Sequence, residues 1–188
     1  GARSAADAGR RDSRTPAVIV WLEGFDAAIE RHARDLKNMA ESAGLAGEVL
    51  RDRAHKNIWD EIRDFGWDDG GVLYRLNVPI ASVADALAEI DRLNEAGKPT
   101  RYVAHAATGT VWLRGDDAEP LAKQKFPRLA ALAHQRKGHA VVAAAPAALK
   151  IGIDVWGEAP ASLHLMRRIK REFDPKDVLS PGRLVGGL

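Results

Sequence analysis

The chain has 188 residues, of which 46% are hydrophobic and 29% are charged, and its 28 basic residues nearly cancel its 26 acidic ones. This composition is typical of one globular domain, and the near balance of charge gives no support for nucleic-acid binding. The absence of cysteine excludes disulfides, thiolate metal sites and cysteine nucleophiles, and is compatible with a cytoplasmic location. No apolar run approaches the roughly 20 residues of a membrane-spanning helix, so we expect no integral membrane segment.

The amino-terminal third predicts two strand–helix units. The predicted elements are a strand at residues 17–24, a helix at 26–43, a strand at 47–52 and a helix at 58–65. Asp26 is expected at the N-cap of the first helix, and Gly44 is expected just past its end. Both strands could join the sheet predicted further along the chain.

The order of elements from residue 72 to residue 145 predicts a ferredoxin-like α+β fold. The predicted elements are a strand at 72–79, a helix at 82–97, a hairpin with strands at 100–107 and 110–115, a helix that begins at Pro127, and a strand at 139–146. This βαββαβ order predicts an antiparallel sheet with its helices on one face. The other face is then available to a partner or a ligand.

The carboxyl-terminal segment predicts an amphipathic helix followed by an extended tail. Pro160 can open a helix whose apolar side carries Leu165, Met166, Ile169 and Phe173. The final residues, FDPKDVLSPGRLVGGL, contain two prolines that cannot extend a helix. We therefore expect residues 174–188 to be an extended segment that lies on another surface.

This ending resembles the carboxyl terminus of FAD-linked oxidases of the vanillyl-alcohol oxidase type, which usually reads Phe, Asp-Pro, a few residues, then Leu-Asn-Pro-Gly and a basic residue. Residues 102–113, YVAHAATGTVWL, and residues 138–157, GHAVVAAAPAALKIGIDVWG, are most similar to the FAD-binding subunits of bacterial glycolate oxidases. The resemblance extends over residues 17–188. It implies that residues 16–188 form the carboxyl-terminal cap domain, with the tail directed toward a flavin-binding domain.

The composition of residues 1–15 and the absence of a phosphate-binding loop complete the domain assignment. Residues 1–15 carry charge but no apolar segment, which predicts a disordered lead-in or linker and no secretory signal. The sequence contains no glycine-rich loop in front of a helix that could cradle a pyrophosphate. The resemblance therefore implies that FAD is held mainly by an amino-terminal domain outside this chain.

Four residues on the predicted strands are candidates for contact with substrate. The resemblance implies that His105 faces the flavin and orients or deprotonates a 2-hydroxy acid, although a lone histidine on a strand is also commonly structural. Arg75 and Arg114 could pair with a carboxylate through the planar guanidinium fork, or could occupy solvent-facing positions. Trp112 shares a side with Arg114, which suits an organic anion, a flavin ring or an ordinary domain interface.

Two tail residues are candidates for the cofactor side of the site. The resemblance implies that Ser180 and Arg183 point toward the flavin-binding domain. Ser180 replaces the usual asparagine of the family, so an amide that both donates and accepts is lost. Relatives that oxidise larger 2-hydroxy acids carry a second histidine close to the first, and no histidine takes that position beside His105, so no metal site is expected.

The expected function is the cap of an FAD-dependent 2-hydroxy-acid oxidase or dehydrogenase, with glycolate as substrate. The expected partners are the flavin-binding domain and the flavin and iron–sulfur subunits of a glycolate oxidase complex. That complex would be cytoplasmic or attached peripherally to the inner membrane, and this chain alone would be inactive. The alternative is a non-catalytic ferredoxin-like module for assembly of a multi-subunit oxidase. A third candidate function, a small-molecule sensor, is supported only by analogy with other ferredoxin-like folds.

Overall fold

The structure, a computed structural model, describes residues 16–67, 71–93, 101–115 and 119–188. It forms two compact units, of which the first ends at Arg63 and the second spans Asp64–Leu188. The lead-in predicted at residues 1–15 lies outside the described residues. The single cap domain predicted over residues 16–188 stays a prediction.

The described part of the first unit, residues 16–63, contains two helices, α1 (Asp26–Ser42) and α2 (Asp52–Arg63). Gly44 ends α1 as predicted, because its φ of 72° is left-handed and its amide donates to the carbonyl of Glu41 at 3.0 Å. This hydrogen bond satisfies a carbonyl that the last turn would leave free. The predicted N-cap is wrong by one residue, since Phe25 holds the cap position and Asp26 is already helical. At this position, the negative carboxylate of Asp26 interacts favourably with the positive end of the helix dipole.

The strands predicted at residues 17–24 and 47–52 are wrong, because no residue between 16 and 63 belongs to a strand. β-branched residues form a strand only where a neighbouring strand takes up their backbone hydrogen bonds, and this unit offers no such neighbour. The first segment is instead attached through Trp21. Its ring lies 4.6 Å from that of His55 and 5.0 Å from that of Trp59, both in α2.

The second unit contains the sheet that the sequence predicts from residue 72 onward. Its elements are β1 (Val72–Asn77), α3 (Val83–Leu93), β2 (Arg101–His105), β3 (Thr110–Gly115), α4 (Glu119–Gln135), β4 (His139–Ala144) and α5 (Leu163–Phe173). The strands lie in the order β2, β3, β1, β4, and every neighbouring pair is antiparallel. This arrangement confirms the predicted α+β, ferredoxin-like fold.

One face of the sheet packs against α3 and α4 and forms the core. Alternate residues of β1, namely Val72, Tyr74 and Leu76, are at most 1% accessible, as expected when successive side chains point to opposite faces. They pack with a set of buried residues from β3, the two helices and β4: Val111, Leu113, Val83, Ala86, Ile90, Phe126, Leu129, Leu132, Ala133 and Ala140. The prediction that these helices cover one face is confirmed.

Several helix boundaries differ from the prediction. The helix predicted at residues 58–65 is α2, which begins earlier and ends at Arg63, and the helix expected to open at Pro160 begins at Leu163. Pro127 does not open α4 but lies inside it, eight residues after its start at Glu119. An internal proline costs roughly 3 kcal/mol, and here Phe126 and Leu129 are buried on either side of it, which favours continuing the helix through it. The helix predicted at residues 82–97 is α3, and residues 94–97 lie outside the described part of the chain.

The turn between β2 and β3 lies directly against the end of β1. A 3₁₀ turn at Ala106–Thr108 leads into Gly109, whose φ is 70°. The carbonyl of Gly109 accepts a hydrogen bond of 2.9 Å from the amide of Val78. A Cβ at Gly109 would overlap the carbonyl oxygen of Val78, so only glycine allows the two backbones to approach this closely.

We expect Gly109→Ala to lower the free energy of unfolding by at least about 2 kcal/mol, because it adds a backbone overlap to the strain of a left-handed residue. Gly152→Ala is the matched control, since Gly152 has a φ of 73° and nothing within 4 Å of an added Cβ. That control should cost only about 1 kcal/mol. Urea unfolding of both variants measures the difference, and equal losses would contradict the close approach at Gly109.

Candidate functional site

The sheet face that points away from α3 and α4, hereafter the opposite face, carries most of the polar candidates. Its rows across the strands are His105, Thr110, Asn77 and His139; Val103, Trp112, Arg75 and Val141; and Arg101, Arg114 and Leu73. The four residues predicted to contact substrate all lie on this face. The strand register therefore brings together a histidine, a tryptophan and two arginines that are separated in the sequence.

Arg75 and Trp112 are direct neighbours in the middle row. The guanidinium carbon of Arg75 lies 5.8 Å from the centre of the Trp112 ring, a separation typical of a cation–π contact. The Nε atom of Arg75 is buried and has no hydrogen-bond partner among the described residues. A buried N–H group without an acceptor costs about 1–3 kcal/mol. Because the Nε atom itself has no accessible surface, an anionic ligand would have to meet the remaining part of this half-buried side chain.

Arg114 lies in the neighbouring row and is only 6% accessible. Its guanidinium faces the backbone of Gly71, since a Cβ at Gly71 would be 3.4 Å from the Nε atom. Arg114 is paired in register with Arg101 on β2 and with Leu73 on β1. The second predicted arginine therefore adds positive charge from a more buried position than Arg75.

His105 lies at the end of β2, on an edge of the sheet, and is exposed. Its carbonyl is within hydrogen-bond distance of the Thr108 hydroxyl, at 3.2 Å. That hydroxyl also lies 3.2 Å from the Thr110 hydroxyl, which accepts a bond of 2.9 Å from the amide of Asn77. This series of polar contacts orders the turn beside His105, and the imidazole remains accessible to solvent.

Trp67 is a contact of the candidate site that the sequence patterns did not identify. Its ring centre lies 6.1 Å from that of Trp112, and the residue is 63% accessible. Phe65, two residues earlier, lies 5.8 Å from the guanidinium of Arg101. The helical spacing predicted Phe65 to lie in the second helix, but α2 ends at Arg63. Only the structure shows that residues 64–67 form a loop beside the opposite face.

The tail is attached to α5 by an ionic cluster that the sequence reasoning did not identify. Asp174 is 6% accessible, and its carboxylate accepts bonds from the amides of Val178 at 3.0 Å and Leu179 at 2.9 Å. The ammonium of Lys170 donates to Asp174 at 2.5 Å, and to the carbonyl of Leu179 at 2.6 Å. The spacing of four residues between Lys170 and Asp174 is the sequence signal that could have indicated this pair.

The two charged groups of this cluster stabilise each other. The hydrogen bond from Lys170, followed by that from the Val178 amide, lowers the pKa of Asp174 to about 2, although burial acts in the opposite direction. The hydrogen bond to Asp174 likewise raises the pKa of Lys170. The cluster therefore stays ionised across the neutral pH range and holds the first turn of the tail against α5.

Ser180 and Arg183 lie further along the tail, away from the predicted catalytic histidine. The carbonyl of Arg183 accepts a bond of 3.1 Å from the indole of Trp156, and the neighbouring Val155 accepts one of 2.7 Å from Val142 on β4. The tail is thus attached next to the β4 edge, whereas His105 lies on the β2 edge. Three strand spacings, about 14 Å, separate these edges.

The apolar side of α5 is largely uncovered. The exposed fractions are 47% for Leu165, 37% for Met166, 60% for Ile169 and 81% for Phe173. Within the tail, Val178 and Leu179 are 69% and 63% exposed. Contiguous apolar surface of this kind commonly marks an interaction site, so we refer to these six residues as the α5 patch.

The described ranges hold neither a cluster of metal-binding side chains nor a membrane-spanning helix. No group of three or more histidine, aspartate or glutamate side chains is placed to hold a metal ion there. None of the described helices is both long enough and apolar enough to cross a bilayer.

Residues 157–184 match the family model described as FAD linked oxidases, C-terminal domain. The matched stretch includes all of α5 and most of the tail. It amounts to less than a sixth of the 188 residues. It supports a flavoprotein oxidoreductase domain of this kind, with a flavin-binding domain as its partner. No curated protein and no solved structure matches the chain.

We expect the attachment of the tail to weaken in acid. The unfolded carboxyl group has a pKa near 3.9 and the folded pKa of Asp174 is about 2, so its stabilising contribution is complete above roughly pH 5 and is lost as the pH falls toward 2. NMR signals of the Val178 and Leu179 amides should shift with a midpoint near pH 2. A midpoint near pH 4 would contradict the cluster.

Two matched variants distinguish the contribution of the buried Asp174 carboxylate from that of its exposed neighbour, Asp177. Asp174→Asn should raise the hydrogen-exchange rates of the Val178 and Leu179 amides at least about tenfold at pH 6, because charge-assisted hydrogen bonds are lost. Asp177 lies 3.2 Å from the Lys170 ammonium but its side chain is 62% exposed. Asp177→Asn should therefore change those rates much less.

Proposed function

We propose that this chain is the cap of an FAD-dependent 2-hydroxy-acid oxidase or dehydrogenase of the vanillyl-alcohol oxidase type, with glycolate as the first candidate substrate. The match at residues 157–184 supports the domain class. The observation that carries the substrate assignment is the half-buried cation of Arg75, which lies beside the ring of Trp112 on the opposite face. A carboxylate is the ligand that this arrangement best accommodates.

Arg75 would bind the substrate carboxylate, and Arg114 would add positive charge. A guanidinium pairs with a carboxylate through parallel, charge-assisted hydrogen bonds that fix the orientation of the bound acid. The contact between Arg75 and Trp112 holds the guanidinium plane in place before the ligand arrives. The acid would then lie over the middle rows of the opposite face.

His105 would act on the substrate hydroxyl. A neutral imidazole can accept a proton at one ring nitrogen while the other carries its own proton. The exposed position of His105 on the β2 edge leaves its ring accessible, and the hydroxyl chain from Asn77 to Thr108 orders the adjoining turn. We assign His105 to orienting the hydroxyl group and accepting its proton.

The described residues fit the ring side of a flavin better than its pyrophosphate. The opposite face offers the ring of Trp112 and the arginine side chains to a flat aromatic ring system. By contrast, the adjacent glycines Gly186 and Gly187 lie in a short 3₁₀ turn, which does not present the amides of a helix amino terminus to a phosphate. When bound, the flavin supplies the hydride acceptor, and Ser180 and Arg183 are the proposed contacts on its side.

The proposed partners are a flavin-binding domain and the flavin and iron–sulfur subunits of a glycolate oxidase complex. The α5 patch supports an interaction with another protein surface, because six large apolar side chains are exposed within one helix and its tail. A cytoplasmic complex, or one held peripherally at the inner membrane, agrees with this assignment.

Bleaching of the flavin by glycolate in a flavin-loaded protein that contains this chain tests the assignment. Arg75→Met should lower kcat/KM about 10- to 150-fold, the range for losing a hydrogen bond to a charged group, while the flavin absorbance is retained. His105→Ala should lower kcat more than it raises KM. Arg92→Met is the control, because Arg92 pairs with Glu89 on α3 and its side chain is 70% exposed. Undiminished bleaching in both site variants would remove them from the site.

The alternative, a non-catalytic assembly module, is favoured by one observation, the exposed α5 patch. We expect Ile169→Ser combined with Phe173→Ser to abolish co-elution with the flavin-binding partner in size-exclusion chromatography. Arg171→Ser, on the polar side of α5, is the control and should leave co-elution unchanged. If these variants disrupt the complex while Arg75→Met and His105→Ala keep full turnover, the chain is an assembly module and not a catalytic cap.

A further inference from the structure

Residues 64–67 form a loop that places an aromatic ring beside the proposed substrate position. Gly66, with a φ of 82°, lies so close to Leu73 that a Cβ would overlap its side chain. Leu73 is itself fully buried on the opposite face. Glycine at this position therefore lets the loop lie directly on the sheet, with Trp67 next to Trp112.

The resulting cluster has a cation at one end and two indoles beside it. The centre of the Trp112 ring is 5.8 Å from the Arg75 guanidinium carbon and 6.1 Å from the centre of the Trp67 ring. The two indole planes are inclined by 56°, so they form an angled apolar surface next to the charge. We call Arg75, Trp112 and Trp67 the aromatic clamp.

The exposure of Trp67 indicates that this surface is incomplete. An indole gains stabilisation from the apolar area it buries, so indole surface that the protein leaves uncovered is available to a ligand. Trp67 is 63% accessible, although its ring approaches Trp112. Phe65 differs, since it is partly buried and its ring has the Arg101 guanidinium as a neighbour at 5.8 Å.

We propose that the aromatic clamp selects 2-hydroxy acids that carry a flat apolar substituent. The proposal rests on the function proposed above, in which Arg75 binds the carboxylate. The substituent then lies against the Trp67 and Trp112 rings, where aromatic pairs gain stabilisation beyond their buried area. Glycolate has no substituent and leaves both rings uncovered, so the preferred substrate class is aryl-substituted.

Titration of the full 188-residue chain with 3-phenyllactate, lactate and glycolate tests this inference by NMR. We expect 3-phenyllactate to bind about 3- to 10-fold more tightly than glycolate, which is the range for one aromatic pair. The indole N–H signals of Trp67 and Trp112 should shift. The indole signal of Trp21, which packs with His55 and Trp59, is the internal control and should not.

Two variants and one neutral ligand identify the contacts. Trp67→Leu should reduce the affinity for 3-phenyllactate to that for glycolate, whereas Trp67→Phe should keep most of the preference. The amide of 3-phenyllactic acid should bind at least about tenfold more weakly than the acid, because it lacks the charge that pairs with Arg75. Unchanged preference in Trp67→Leu, or equal binding of the amide, would overturn the clamp.

The outcomes separate this inference from the proposed function. If glycolate and 3-phenyllactate bind equally and both shift the Trp112 signal, the carboxylate site stands and the selection by Trp67 is overturned. If none of the three acids shifts Trp112, and Arg75→Met changes nothing, the carboxylate site and the clamp both fail.

Discussion

The central strand β1 imposes the constraint on which the second unit depends. Its successive side chains must point to opposite faces of the sheet, so each core residue is followed by one that faces away. Tyr74 and Leu76 complete the core under α3 and α4, and Arg75 between them is necessarily directed to the opposite face. Because β3 pairs with β1 throughout, the same alternation places Trp112 directly beside Arg75. Folding of the core and placement of the candidate site are therefore one event.

This coupling explains why charge is tolerated in the middle of an apolar sheet. A guanidinium has both a flat π-like face and a set of N–H donors. The ring of Trp112 lies beside the guanidinium of Arg75, whose Nε–H has no acceptor among the described residues. Arg114 lies more deeply against the backbone of Gly71. The two arginines thus differ in environment although the sequence presents them alike, and Arg75 is the better placed to meet a ligand.

Sequence patterns predicted the second unit well because its elements depend on local periodicity and on a single core. Apolar and polar side chains alternate along the strands that contain Tyr74 and Trp112. This alternation allowed the sequence to predict the antiparallel strand order, the sheet face that the helices cover, and the face that the candidate residues share. The first unit was predicted less well, since the β-branched residues 17–24 have no strand partner there. Pro127 was misread because buried neighbours outweighed its local cost. Trp67 could not be assigned at all, as a loop residue acquires its contacts from tertiary structure alone.

The ionic cluster of Lys170 and Asp174 affects how quickly and how tightly the tail can meet another surface. Fixing the backbone of one residue costs roughly 1–2 kcal/mol in lost conformational entropy, and a tail that was unstructured when free would lose that entropy at the moment of association. The turn from Asp174 to Leu179 is already closed by four hydrogen bonds. Its ordering belongs to folding and not to binding, so the segment meets its partner as a rigid body with a smaller entropic penalty.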